Sequence, residues 1–139
     1  MKFPKQFIAI TVFFAIGPLS FAKPIEVFFG TGGRGAEGIY HATFNPDNGK
    51  FTSAKLAAKI GSPGFLAHHP NGAILYSLGR WDGKAGTVGY QRSAGGGLKE
   101  FTRMVCPDGG GAHIAVHPSG KFLLTAQYGG GSTAFFPLD

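Results

Sequence analysis

His69-Pro70-Asn71-Gly72-Ala73-Ile74-Leu75-Tyr76 and His117-Pro118-Ser119-Gly120-Lys121-Phe122-Leu123-Leu124 are one pattern written twice, 48 residues apart (69 to 117). Each reads as a His-Pro-x-Gly turn feeding an apolar run, because proline presets φ at one turn position and glycine supplies positive φ at another. A second pair of landmarks keeps the same spacing. Gly38-Ile39-Tyr40 leads to a turn at 45–49, and Gly86-Thr87-Val88 leads to a turn at 93–97. A further copy of that strand follows Gly131, at Ser132-Thr133-Ala134-Phe135-Phe136. Independent landmarks at one period mark a repeat architecture.

Within the repeat, 65–69 is short and apolar, and 73–78 is a continuous apolar run between Gly72 and Gly79. The segment 87–92 begins after a glycine and ends at a glycine-rich turn. In 98–104, Leu98, Glu100 and Thr102 alternate with Lys99, Phe101 and Arg103, the period of a strand with one wet face. Four strands in about 48 residues is the period of a propeller blade. The innermost runs are expected to be apolar on both faces, since each blade sits between neighbours, and the outermost strand to be polar. Earlier residues follow the same order: 25–29, 39–44 and 51–59 read as the second, third and fourth strands of a first blade that lacks its innermost strand. Closed propellers fill that place from the C-terminal end of the chain, which removes exposed edges. The expected fold is therefore an all-β propeller of four-stranded antiparallel blades. Blade 1 occupies 25–60, blade 2 occupies 63–104, and blade 3 starts at 112–138. Propellers have about four to eight blades, so these two to three blades are expected to be part of a chain about two to three times longer. Open blade faces would then favour self-association.

Composition agrees with many short strands: 24 glycines and 14 phenylalanines among 139 residues, with only 14% charged. Residues 1–22 combine Lys2 and Lys5, an apolar stretch at 7–19, and small residues at Ser20 and Ala22. Those are the parts of a secretory signal cleaved after Ala22, which implies a periplasmic or secreted protein with no membrane attachment after cleavage. An uncleaved anchor is the alternative, but the apolar stretch carries Gly17-Pro18 and is short for a span of about 20 residues. Of the 13 Lys and Arg residues, 11 remain without Lys2 and Lys5, against 7 acidic residues, a balance of +4. They are scattered (Arg34, Lys50, Lys55, Lys59, Arg80, Lys84, Arg92, Lys99, Arg103, Lys121), which argues against a nucleic-acid partner. The same balance suits mild attraction of anionic small molecules. The lone cysteine, Cys106, cannot form an intramolecular disulfide and reads as a small buried apolar residue.

Residues 30–35 spell G-x-G-x-x-G after an apolar strand, but 39–44 then reads as a strand where a dinucleotide site needs a helix. That loop is expected to join strands. No metal or organic cofactor is expected, because neither H-E-x-x-H nor C-x-x-C occurs. His68 and His69 project from opposite faces of a strand, His69 and His117 cap their turns, and His41 lies mid-strand. His113 is different. In Gly109-Gly110-Gly111-Ala112-His113-Ile114, a glycine run feeds an innermost strand, the one that lines the central channel. Imidazole titrates at about 6.5 and suits a general base, yet the local pattern alone leaves a structural and a catalytic histidine equally open. No G-x-S-x-G elbow is present, so a hydrolase built on this chain would use activated water.

Phe28-Phe29-Gly30-Thr31 with Gly38-Ile39-Tyr40, then Pro63 through Gly72, Gly109 through His113, and Phe122 through Ser132 together resemble the seven-bladed lactonase family. That family includes 6-phosphogluconolactonases and carboxymuconate-lactonising relatives. The resemblance implies hydrolysis of a small-molecule lactone, in carbohydrate metabolism, by water activated near His113. It also implies substrate contacts from Gly110, Gly111, Gln127 and Tyr128. Ala112 stands where the family has cysteine before the histidine, and Gln127 where asparagine is more usual. The family's acidic residue and arginines come from later blades, so residues 1–139 alone are expected to be inactive. Export points away from the cytoplasmic phosphogluconolactone and toward another sugar or aromatic lactone. The competing readings are a non-catalytic propeller that binds a ligand or a protein, and a cycloisomerase relative.

Overall fold

Eleven strands and no helix make up the regular structure of residues 22–138, the part of the chain that the computed structural model describes. The expected signal at 1–22 lies outside the described residues except for Ala22. In the first sheet β1 (Ile25–Gly30) pairs with β2 (Gly38–Asn45), whose far edge carries both β3 (Lys50–Phe51) and β4 (Lys55–Lys59). The second sheet runs β5 (Leu66–His68), β6 (Ile74–Trp81), β7 (Lys84–Arg92), β8 (Leu98–Val105) in chain order. The third holds β9 (Gly111–Val116), β10 (Phe122–Gln127) and β11 (Ser132–Pro137), again in order. Every pairing is antiparallel.

Three details depart from the sequence reading, each for a local reason. The outer strand expected at 51–59 is broken, because Thr52 bonds back to Thr43 through both its amide and its hydroxyl before the chain rejoins β2 at Lys55. β6 does not stop at Gly79 but runs on to Trp81. The turn is Asp82-Gly83, with φ of 46° and 71°, a two-residue hairpin whose twist matches the strands it joins. In β8 the alternation fails at Phe101, the extra residue of a bulge, since Gly89 opposes Thr102 and Tyr90 opposes Glu100.

The sheets stack face to face, with an apolar core in each gap. Ile39 and Ile60 from the first sheet side meet Val88 and Tyr90 of the second. Tyr76 and Leu78, on the opposite face of the second sheet, meet Ile114 and Leu123 of the third. Each such aliphatic side chain contributes roughly 1.5–3 kcal/mol when fully buried. β8 is largely exposed, as expected of an outer strand, but the innermost strands are not the most enclosed. β6 and β7 are, because they lie at the centre of the one sheet covered on both faces. The uncovered faces of the first and third sheets leave Ile25, Phe29, Phe51, Leu124 and Phe135 exposed. Tyr90 has its hydroxyl buried without a partner, and burial pushes its pKa up to about 12. Among the described residues no helix is long and apolar enough to cross a membrane.

One end of the stack is held by the two His-Pro-x-Gly turns. Nδ1 of His69 accepts the Asn71 amide at 3.1 Å, and Nδ1 of His117 accepts the Ser119 amide at the same distance. The turns close through Gly72 N–H to His69 C=O at 2.9 Å and Gly120 N–H to His117 C=O at 2.8 Å. Because Nδ1 of His69 accepts, its proton resides on Nε2, which donates to the Gly120 carbonyl at 2.9 Å and so joins the second sheet to the third. At the same end Arg92 donates to the Gly72 carbonyl at 2.7 Å and to Glu26 of the first sheet at 2.8 Å.

Candidate active site

At the opposite end, the β9–β10 register slips. Ala126 opposes His113 while Gln127 opposes Gly111, so Ala112 is the extra residue of a β-bulge. Bulges re-aim the side chains beside them. His113 follows this one directly, and its ring is exposed, edge-on to Phe65 with centroids 5.3 Å apart. Its ring nitrogens bond to no other group among the described residues.

A pocket of about 260 Å³ opens at this end, lined by Ser62, Gly64, Leu78, Gly79, Arg80, Gly110 and Gly111. Its walls come from three places: the loop entering the second sheet, the end of β6, and the glycine run entering β9. Gly110 and Gly111 leave bare backbone against the side-chain ends of Arg80 and Leu78. A Cβ on Gly110 would come within 2.7 Å of Arg80 Nη2, and one on Gly111 within 2.6 Å of a Leu78 methyl. Arg80 is fixed at its backbone, whose amide donates to the Gly61 carbonyl at 2.7 Å. Its side chain is exposed and has no carboxylate within 4.0 Å among the described residues. Ser62 adopts φ 52°, a left-handed conformation that costs a non-glycine residue of order 1–3 kcal/mol and tends to occur at functional sites.

The residues singled out from the sequence divide here. Gly110 and Gly111 lie in the pocket wall, with His113 two residues further along β9. Tyr128 stands in the β10–β11 loop, 90% exposed. Gln127 does not stand free to contact a substrate. Its side chain is 2% exposed, its amide donates to Thr125 Oγ1 at 2.5 Å, and its carbonyl lies 3.5 Å from the Ser132 hydroxyl. Gln127 therefore holds the strand end opposite the bulge. Cys106 is buried with Sγ 3.5 Å from Thr125 Oγ1, the small buried residue expected. Arg80 and Ser62 were not legible as site residues. The available signal was the Asp82-Gly83 dipeptide, which turns the chain just past Arg80 and so sets it at the same end as Gly110.

Other candidate sites fall away on geometry. The loop at 30–35 joins two strands, with Thr31 bonded through amide and hydroxyl to the Gly38 carbonyl, and no helix follows it. A larger depression of about 600 Å³ beside it, lined by Phe29, Thr31, Arg34 and Tyr40, belongs to the uncovered face of the first sheet. Among the described residues no group of three His, Cys, Asp or Glu side chains could hold a metal ion.

Known proteins share this fold. The chain is 35% identical over 106 residues to the 6-phosphogluconolactonase of Bacillus subtilis, covering 76% of this chain and 30% of that protein. The structure of a periplasmic gluconolactonase from Pseudomonas aeruginosa superposes with a TM-score of 0.76 at 20% identity, over 84% of this chain and 35% of that one. A protein from Lactobacillus plantarum superposes with a TM-score of 0.73 at 24% identity, over 84% of this chain and 37% of that one. The chain thus spans about a third of the length of these relatives. The two structural likenesses speak for the fold. The sequence profile described as "Lactonase, 7-bladed beta-propeller" matches residues 26–139, and the chain belongs to that family.

Proposed function

We propose that the protein hydrolyses a small sugar or aromatic lactone, with His113 as general base toward an attacking water. The observation that carries this reading is the bulge at Ala112, with the exposed His113 ring on one side of it and Gly111, in the wall of the pocket, on the other. In this reaction the imidazole takes a proton from water as its oxygen adds to the lactone carbonyl. The tetrahedral adduct then breaks the ring C–O bond, and the imidazolium returns the proton to the departing ring oxygen. Bare backbone at Gly110 and Gly111 lets the lactone approach closely, Tyr128 borders it, and Gln127 positions the strand that carries Tyr128. Family membership and the 35% identity to a 6-phosphogluconolactonase support hydrolysis over simple binding.

The test is replacement of His113 by Ala or Gln in the full-length protein, assayed against a panel of lactones. A fall in kcat of roughly 10²- to 10⁴-fold is expected. Unchanged turnover removes His113 from the chemistry, and no turnover by the unaltered protein favours a binding propeller.

We also infer that residues 1–22 are an export signal and that the protein works in the periplasm or outside the cell. Lys2, Lys5 and the apolar stretch at 7–19 support this, and N-terminal sequencing of the exported protein tests it. The exposed Ile25, Phe29, Phe51, Leu124 and Phe135 support self-association of a polypeptide ending at Asp139. Sedimentation of that polypeptide as a monomer with a sharp melt would overturn it.

A further inference from the structure

We propose that Phe65 is a positioning residue for His113, holding the imidazole in the orientation from which it takes the proton of the attacking water. This rests on the hydrolytic reading above and adds a second side chain to it. Phe65 and His113 stand one repeat period apart (65 to 113), so they occupy the same place in successive repeats. The pairings agree. The Phe65 carbonyl accepts the Leu78 amide at 3.0 Å, and His113 opposes Ala126, one period on from Leu78 (78 to 126). Phe65 immediately precedes β5, and β5 packs beside β9, which carries His113. The repeat thus seats an arene beside the proposed base. The two rings meet edge-on, with centroids 5.3 Å apart and planes at 61°. Aromatic pairs favour that separation and tilt, because the positive edge of one ring meets the negative face of the other.

The turn histidines show what this contact replaces. His69 is held through both ring nitrogens, and His117 through Nδ1, by hydrogen bonds to their turns and neighbours. His113 is exposed and has no such bond among the described residues, so hydrogen bonding does not fix its ring. A bond of that kind would orient the imidazole but would also engage a nitrogen. An arene restricts rotation and leaves both nitrogens open, one of them to accept a proton. Proton transfer requires the accepting nitrogen within hydrogen-bond reach of the water, so a freely turning ring would lose rate. Phe65 is itself well anchored. Pro63 is fully buried, the Gly64 amide donates to the Ser62 carbonyl at 2.8 Å, and Gly61 is bridged to Arg80. With its carbonyl bonded to β6 as well, the residue is set from both sides. Its ring is still 46% exposed, more than a purely structural phenylalanine needs.

The test replaces Phe65 by Leu in the full-length protein and assays the lactone that it hydrolyses best. A fall in kcat of roughly 2- to 10-fold is expected with KM within about twofold, as loss of an aromatic pair that serves only the chemistry implies. Phe65→Tyr and Phe65→Trp, which keep a ring, should recover most of the rate. In a protein already carrying His113→Gln, the same Leu replacement should change nothing further, since its effect runs through the imidazole. A rise in KM alone, no change in kcat, a loss that neither ring restores, or an equal loss beside His113→Gln overturns the assignment. Should Phe65→Leu unfold, Phe65→Met carries the same comparison. If the unaltered protein hydrolyses no lactone, the hydrolytic reading fails separately, and NMR of the imidazole ring protons, assigned through His113→Gln, judges the contact. His113 signals that move in Phe65→Leu and stay in place in Phe65→Tyr support the positioning. Signals unmoved in Phe65→Leu overturn it.

Discussion

The two ends of the blade stack are built on different plans. At one end the repeats agree closely: each turn opens with a histidine whose Nδ1 accepts an amide two residues on, and each closes on a glycine, Gly72 or Gly120. At the other end the same repeats diverge. β6 and β7 are joined by two residues, Asp82-Gly83, whereas β10 and β11 are joined by four, from Tyr128 to Gly131. The glycine run, the bulge and Arg80 also lie at that divergent end. A shared scaffold end with a varied opposite end is what separates holding a fold from recognising a ligand, since function resides in sites grafted onto folds.

Substitutions can sharpen this contrast. The largest effect is expected for Gly120→Ala. It forces alanine to φ +75° and sets its Cβ 2.7 Å from His69 Nε2, so a loss of about 3 kcal/mol is expected in denaturant unfolding. Gly72→Ala has nearly the same φ, +72°, but meets nothing within 4 Å, and should cost only about 1 kcal/mol. Equal losses would mean that the contact between turns contributes nothing. Between these, His69→Ala removes the amide acceptor and the bond to Gly120, with a loss of about 2 kcal/mol expected. At the opposite end, Tyr128→Ala should leave stability within about 0.5 kcal/mol while raising KM, because that side chain is 90% exposed. A change in stability without a change in KM would reverse the assignment of the two ends.

The smallest effect concerns acid. Burial, and after it the charge of Arg92, lowers the pKa of His68. The unfolded ring then binds a proton more readily than the folded one. Stability from this group is fully present above about pH 6.5 and falls as pH drops through the lowered folded value. His68→Gln should flatten that part of a stability–pH profile, and a profile identical to that of the unaltered protein would show that the ring is not perturbed.

The repeat, the strand order and the turn histidines were legible because they depend on local chemistry. Glycine, proline and a polar side chain at a fixed offset dictate a turn wherever it sits, and a period of two dictates a strand. The bulges were not legible, since Phe101 and Ala112 are extra residues only relative to partner strands. That explains why the alternation in β8 broke at Phe101. It also explains why Gln127, adjacent in sequence to the exposed Tyr128, is buried against Thr125 instead of reaching a ligand. Arg80 was hidden for a similar reason. Its charge is one among many in the chain, and only the approach of Gly110 from the next repeat makes it distinctive.

The imidazole clasp has a direction. His69 reaches forward to the carbonyl of Gly120, whereas that carbonyl offers nothing but acceptance in return. Swapping Asn71 for the serine used at 119 would be tolerated, while exchanging donor and acceptor between neighbouring turns would not. The coupling it creates nevertheless runs both ways, because loosening either turn weakens the same bond and so costs its neighbour as much as itself.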